Sequence, residues 1–128
     1  MAQLASGGIS LVGIPQNEFR FTFNLATGIT KADEGKPVAL DTSADNTVKL
    51  AGDGDVIIGN LKVVENRLVE GILVGTVEMK GGFTWTKSGT VNRGDSVVGA
   101  GSGAVKTGTN ARTLVVAVGS TTVDVIMI

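Results

Sequence analysis

The chain has 128 residues, 11 basic and 12 acidic, with 42% hydrophobic side chains, only 4% aromatic ones, and neither cysteine nor histidine. A chain of this length makes one domain whose interior is filled by Val, Ile, Leu and Ala. The composition excludes a disulfide framework, a thiol nucleophile, a thiolate metal site and an imidazole base or metal ligand, and its balanced, unclustered charge argues against nucleic-acid binding. Nineteen glycines without a Gly-X-Y period point to many turns. No basic region followed by an apolar core opens the chain and no apolar run reaches membrane-spanning length, so a soluble protein made in a cytoplasm is expected.

Residues 1–17 are small, uncharged and broken by glycine. Two readings of them are open. One is a frayed terminus; the other is an N-terminal arm whose Ile9, Leu11, Val12 and Ile14 bury against another chain by strand addition. Residues 18–128 then form a single β domain. From Phe19 to Leu25 apolar and polar residues alternate strictly, with Phe19, Phe21, Phe23 and Leu25 on one face. That strand is expected to supply bulky contacts, in the core before a subunit interface. After a turn at Thr27-Gly28, Ile29–Ala32 is a short extended piece. Val38–Leu40 and Thr47–Ala51 then form a hairpin around the polar loop Asp41–Asn46.

The longest apolar stretch, Val56–Met79, breaks once, at Glu65-Asn66-Arg67, where a tight reversal is expected. A helical spacing fits Leu61, Val64, Leu68 and Ile72. Gly59, Gly71, Gly75 and the β-branched content favour two antiparallel strands instead. Lys80-Gly81-Gly82 reads as the turn of a further hairpin, leading into Phe83–Lys87, with Phe83 and Trp85 on one face. Gly94–Val97 and Ala104–Lys106 echo Gly35–Val38 and Thr47–Lys49, but one echo falls short of a repeat architecture. Thr113–Val118 and Thr122–Ile128 close the chain as a hairpin across Gly119-Ser120-Thr121. Nine or ten short strands at this spacing predict an all-β fold: a small antiparallel barrel or sandwich.

No motif carries catalysis. Arg93-Gly94-Asp95 spells an integrin-recognised tripeptide, and Gly-Asp is also the natural turn before Ser96–Val98. Gly99–Gly103 leads into a strand and not into a helix N-terminus, so it reads as a hairpin tip and not as a phosphate cradle. Asp41, Asp45, Asp53 and Asp55 lack the ligand ladder of a calcium loop. Glu65, Glu70 and Glu78 are the only candidates for the paired carboxylates of a hydrolase, and a solvated face is the simpler reading. Lys87-Ser88 is an adjacent pair that adjacency alone does not make a dyad. No catalytic residue, metal ligand or cofactor is assigned.

From Gly35 to Lys106 the chain resembles the small capsid decoration (cement) proteins of tailed bacteriophages. The resemblance is carried by Gly35–Asp41, Val48–Asp55, Ile58-Gly59, Val64-Glu65, Glu70–Val77, Gly81-Gly82 and Val91–Gly103. It implies a structural virion protein that binds the outside of the expanded head. There it would sit as a homotrimer at local threefold positions, with the major capsid protein as partner and the N-terminal arm adding to the shell's strands. The long, glycine-broken N-terminal segment departs from the family pattern. A mean hydropathy of +0.29 fits a protein with adhesive surface. The expected interface residues are Ile9, Leu11, Val12 and Ile14 of the arm, with Phe83 and Trp85 as an exposed aromatic pair. The alternative is a receptor- or carbohydrate-binding β module with Trp85 as its stacking platform.

Overall fold

The computed structural model describes residues 20–67, 69 and 71–128. The arm over residues 1–17, with Ile9, Leu11, Val12 and Ile14, lies outside the described residues, as does Phe19. The described residues are all-β: β1 (Arg20–Leu25), β2 (Pro37–Leu40), β3 (Thr47–Leu50), β4 (Gly59–Arg67), β5 (Ile72–Glu78), β6 (Gly81–Lys87), β7 (Val97–Gly101), β8 (Ala104–Thr107), β9 (Thr113–Val118) and β10 (Thr122–Met127), with one 3-10 turn at Lys31–Asp33. The first five strands close into a barrel in the order β1-β3-β2-β4-β5, and the last five form a sheet in the order β7-β8-β6-β10-β9.

These two orders are the same order. If β6 to β10 are matched in sequence to β1 to β5, every pairing of the first unit except β2–β4 has a counterpart in the second. β1 runs parallel to β3, and β6 parallel to β8. β1 is antiparallel to β5, and β6 to β10. Both β4–β5 and β9–β10 are antiparallel and irregular in register, the extra residue being Lys62 in one and Val116 in the other. Single hydrogen bonds correspond as well. Gly35 N–H donates to Leu61 O (2.6 Å) and Leu61 N–H to Lys36 O (2.9 Å), as Gly94 N–H does to Val115 O (2.8 Å) and Val115 N–H to Asp95 O (2.9 Å). The chain is a tandem of two five-stranded units, and the expectation of no repeat is corrected. The equivalence sets Phe21-Thr22-Phe23 against Phe83-Thr84-Trp85, Val48-Lys49 against Val105-Lys106, and Val77-Glu78-Met79 against Val125-Ile126-Met127.

The units differ in how they close. In the first, β2 and β4 pair through the backbone at Pro37↔Asn60 and Val38↔Gly59. In the second, the Thr113 hydroxyl stands where that pairing would be, accepting from Val97 N–H at 3.0 Å and donating to Asn110 O at 3.0 Å. Two apolar clusters follow. One lies inside the first barrel, around Val38, Val48, Leu61 and Val77. The other joins Phe83, Trp85, Val97, Val105, Val115 and Val125 of the second unit to Ala39, Ala51 and Ile57 of the first. The seam between the units is therefore core, and the loop before β4 is stitched to β7 by Gly54 N–H to Gly99 O and Gly99 N–H to Asp55 O, both 2.9 Å. Gly99 is required there, because a Cβ would collide with Gly52 O and lie 2.8 Å from the Ala51 Cβ.

Four local expectations are overturned. The β4–β5 ladder runs through Glu65↔Val74, Asn66↔Leu73 and Arg67↔Ile72, so Glu65-Asn66-Arg67 is strand and the chain reverses only after Arg67, with Gly71 at φ +74° before β5. Continued cross-strand pairing there outweighs the polarity of that triplet. Gly81-Gly82 opens no hairpin: β6 pairs with β10 and β8, so Lys80-Gly81 is the crossing from one unit to the next. The phenylalanine strand is not uniformly core, since Leu25 is buried while Phe21 is 51% exposed. The extended piece at Ile29–Ala32 is likewise interrupted, by the 3-10 turn from Lys31.

Candidate interaction surface

The aromatic pair expected at the surface lies inside. Phe83 and Trp85 are 8% and 1% exposed, with ring centroids 5.4 Å apart in a stacked arrangement. Both project from β6 onto the same face as Val123 and Val125 of β10, and the first unit covers them. Trp85 Nε1–H donates to Asn60 Oδ1 at 3.0 Å across the seam. Burying an indole strands its one donor unless an acceptor is supplied, and Asn60, itself buried, supplies it. The exposed-pair expectation fails because period-two alternation shows which side chains share a face, without showing what that face meets.

Charged groups gather at the seam and along the first barrel. The repeated lysines Lys49 and Lys106 converge on one loop, Lys49 Nζ lying 3.4 Å from Asp55 Oδ2 and Lys106 Nζ 2.5 Å from Asp53 Oδ1. The Asp53-Gly54-Asp55 turn thus faces two ammonium groups. Glu78, expected to face solvent, is 8% exposed and sits 3.7 Å from both Arg20 Nε and Lys62 Nζ. Glu65 and Glu78 lie at opposite ends of the β4–β5 ladder, opposite Val74 and Asn60, which is no carboxylate pair. Glu70 lies outside the described residues. Among the described residues no cluster of three or more acidic groups is arranged to hold a metal ion.

The short motifs resolve into turn chemistry. In Arg93-Gly94-Asp95 the carboxylate turns inward, Asp95 Oδ2 accepting from Asn92 N–H (2.9 Å) and from the Thr107 hydroxyl (3.0 Å). Gly101, Ser102 and Gly103 all have positive φ at the β7–β8 hairpin tip. Three carboxyls at exposed turns are held below the ordinary carboxylate range. Asp33 is lowered by the Lys36 ammonium (2.7 Å) and then by Thr30 N–H, Glu34 by the Val64 N–H (2.8 Å) and then Lys31, and Asp41 by the Ser43 hydroxyl (2.6 Å) and then its N–H. A shallow depression of about 230 Å³ between β9 and β10 is lined by Ala117, Val118, Gly119, Thr122 and Asp124, and Asp124 there accepts from the Thr84 hydroxyl at 2.7 Å.

Among the described residues, Phe21, Leu40, Val56, Val63, Val69, Leu114 and Ile128 are the large hydrophobic side chains left exposed. Sequence reasoning placed Phe21 on a buried face. Leu114 was the most legible, since alternation with the buried Thr113 and Val115 points it outward. No protein-family model matches the chain, and neither does any curated protein sequence.

Proposed function

We propose that the chain is a capsid decoration (cement) subunit: a structural, non-catalytic virion protein, made in the host cytoplasm, that stabilises the major capsid lattice from the outer surface of an expanded phage head as a homotrimer. The observation that carries this reading is the resemblance of Gly35–Lys106 to such proteins. Two features of the molecule support it. The carboxylates that a hydrolase would use, Glu65 and Glu78, stand apart, and Glu78 is engaged by Arg20 and Lys62. The exposed hydrophobic side chains are spread over both units instead of lining one cleft, which suits many weak contacts to a lattice. A trimer holding three shell subunits gains about 10²–10⁴ in avidity over one contact. The carbohydrate-binding alternative loses its platform, because Trp85 is 1% exposed and its N–H is taken.

Co-sedimentation with expanded heads, against unexpanded procapsids as control, tests the proposal. The full chain is expected to pellet with expanded heads only. A variant lacking residues 1–17 is expected to stay folded by circular dichroism and to remain in the supernatant. Undiminished pelleting of that variant removes the arm from the account, and failure of the full chain to pellet removes the capsid.

A further inference from the structure

The seam inside the chain shows how one unit covers another. The aromatic side of the second unit, Phe83 and Trp85, is roofed by the outer wall of the first, where Asn60 meets the indole. The first unit has the same side, formed by Phe21, Phe23 and Met79. Among the described residues nothing roofs it to the same extent: Phe21 is 51% exposed, and Phe23 and Met79 are only partly buried. The second unit also has the same outer wall. Where the first carries the cross-strand row Arg20–Glu78–Asn60, the second carries Gly82–Ile126–Leu114. Leu114 is 47% exposed and Ile126 partly so. The substitutions are matched. The Trp85 donor faces the Asn60 acceptor; at the equivalent positions Phe23 has no donor and Leu114 no acceptor. The polar pair at the seam has an apolar pair, Phe23 and Leu114, as its counterpart on two surfaces that, among the described residues, the other unit does not cover.

We propose that these two surfaces dock on each other between copies of this chain, the Leu114–Ile126 wall of one copy roofing the Phe21–Phe23–Met79 side of the next. The contact is heterologous, head to tail, and so leaves one free surface at each end of any open chain until a ring closes. It deepens the self-association part of the proposed function and does not depend on a capsid, so it is tested in the absence of one.

Light scattering coupled to size exclusion over a concentration series, on the full chain and on the variants Phe21→Asp and Leu114→Asp, reads the contact. Both positions are exposed, and thermal melts by circular dichroism confirm that the variants are folded. The wild type is expected to associate and each variant to run as a monomer. An equimolar mixture of the two variants is expected to give a one-to-one dimer and nothing larger, since Phe21→Asp keeps an intact Leu114 wall and Leu114→Asp an intact Phe21 side. A monomeric wild type at its highest soluble concentration overturns the proposal, and so does a variant that keeps the wild-type mass. Phe21→Asp lowering the melting temperature with no change in mass also overturns it, by placing the cover within one chain, in its own N-terminal segment.

Discussion

At the level of single residues, the Trp85–Asn60 hydrogen bond is where local chemistry and long-range packing meet. The lone tryptophan is buried at a seam that only the tertiary structure creates, and its donor is satisfied from the other unit. Asn60→Ala is expected to lower stability by about 1–3 kcal/mol, the cost of an unsatisfied buried donor. Asn60→Leu should do the same. Combined with Trp85→Phe it should recover a large part of the loss, because removing both partners of a buried hydrogen bond costs far less than removing one. Urea denaturation followed by circular dichroism on the two single variants and the double variant checks this. Additive losses would contradict the pairing.

Acid provides a second residue-scale test. Asp33, Glu34 and Asp41 are all held below their ordinary range by donors that favour the carboxylate. A carboxyl lowered on folding contributes stability above its unfolded value, and that contribution is lost as the pH falls through the folded value. Melting temperature is therefore expected to be flat above about pH 5 and to fall below about pH 4. Asp33→Asn with Glu34→Gln should make the acid limb shallower. An unchanged limb in that variant would mean these turns do not contribute to it.

Among the elements, the loop before β4 and strand β7 form the joint of the molecule. Gly54 N–H donates to Gly99 O and Gly99 N–H to Asp55 O across it, and the two repeated lysines close on the same loop. The ion pairs are exposed and contribute at most about 1 kcal/mol each, so the apolar contact and the close backbone approach dominate. Gly99→Ala is expected to cost about 1–3 kcal/mol through overpacking against Gly52 and Ala51. A urea midpoint equal to wild type would show that the joint can open without penalty. The units diverge most in their last hairpins: β4 and β5 are the longer strands, with Val69 between them fully exposed, whereas β9 and β10 turn tightly at 119–121. That longer hairpin, together with extra residues near the 3-10 turn, shifts the two halves of the sequence out of step. This is why only the β2–β3 echo of β7–β8 was legible before the strand pairing was known.

For the whole molecule, the shared cluster of Ala39, Ala51 and Ile57 with the second unit predicts a single cooperative transition. Tryptophan fluorescence, which reports the seam, and far-ultraviolet circular dichroism, which reports both units, should give coincident unfolding curves in urea. A separate early transition by circular dichroism would mean that the first barrel melts alone.

The all-β character, the position of most strands, the turns at Asp53-Gly54-Asp55 and Arg93-Gly94-Asp95 and a hairpin tip within Gly99–Gly103 were legible in the residues alone, although Gly99 to Gly101 are strand and the tip is Ser102-Gly103. Alternation, β-branching and turn chemistry are local properties, readable within a few residues. Strand packing was needed to see that Lys80-Gly81 crosses between units instead of closing a hairpin, that Phe83 and Trp85 are core while Phe21 is exposed, and that the fold repeats itself. Those outcomes depend on which strand lies beside which, and the partners are far apart in the chain: Asn60 and Trp85, Ala51 and Gly99, β6 and β10. A strand shows its apolar face in its own residues; whether that face meets a barrel interior, a second unit or a partner is settled by the rest of the molecule.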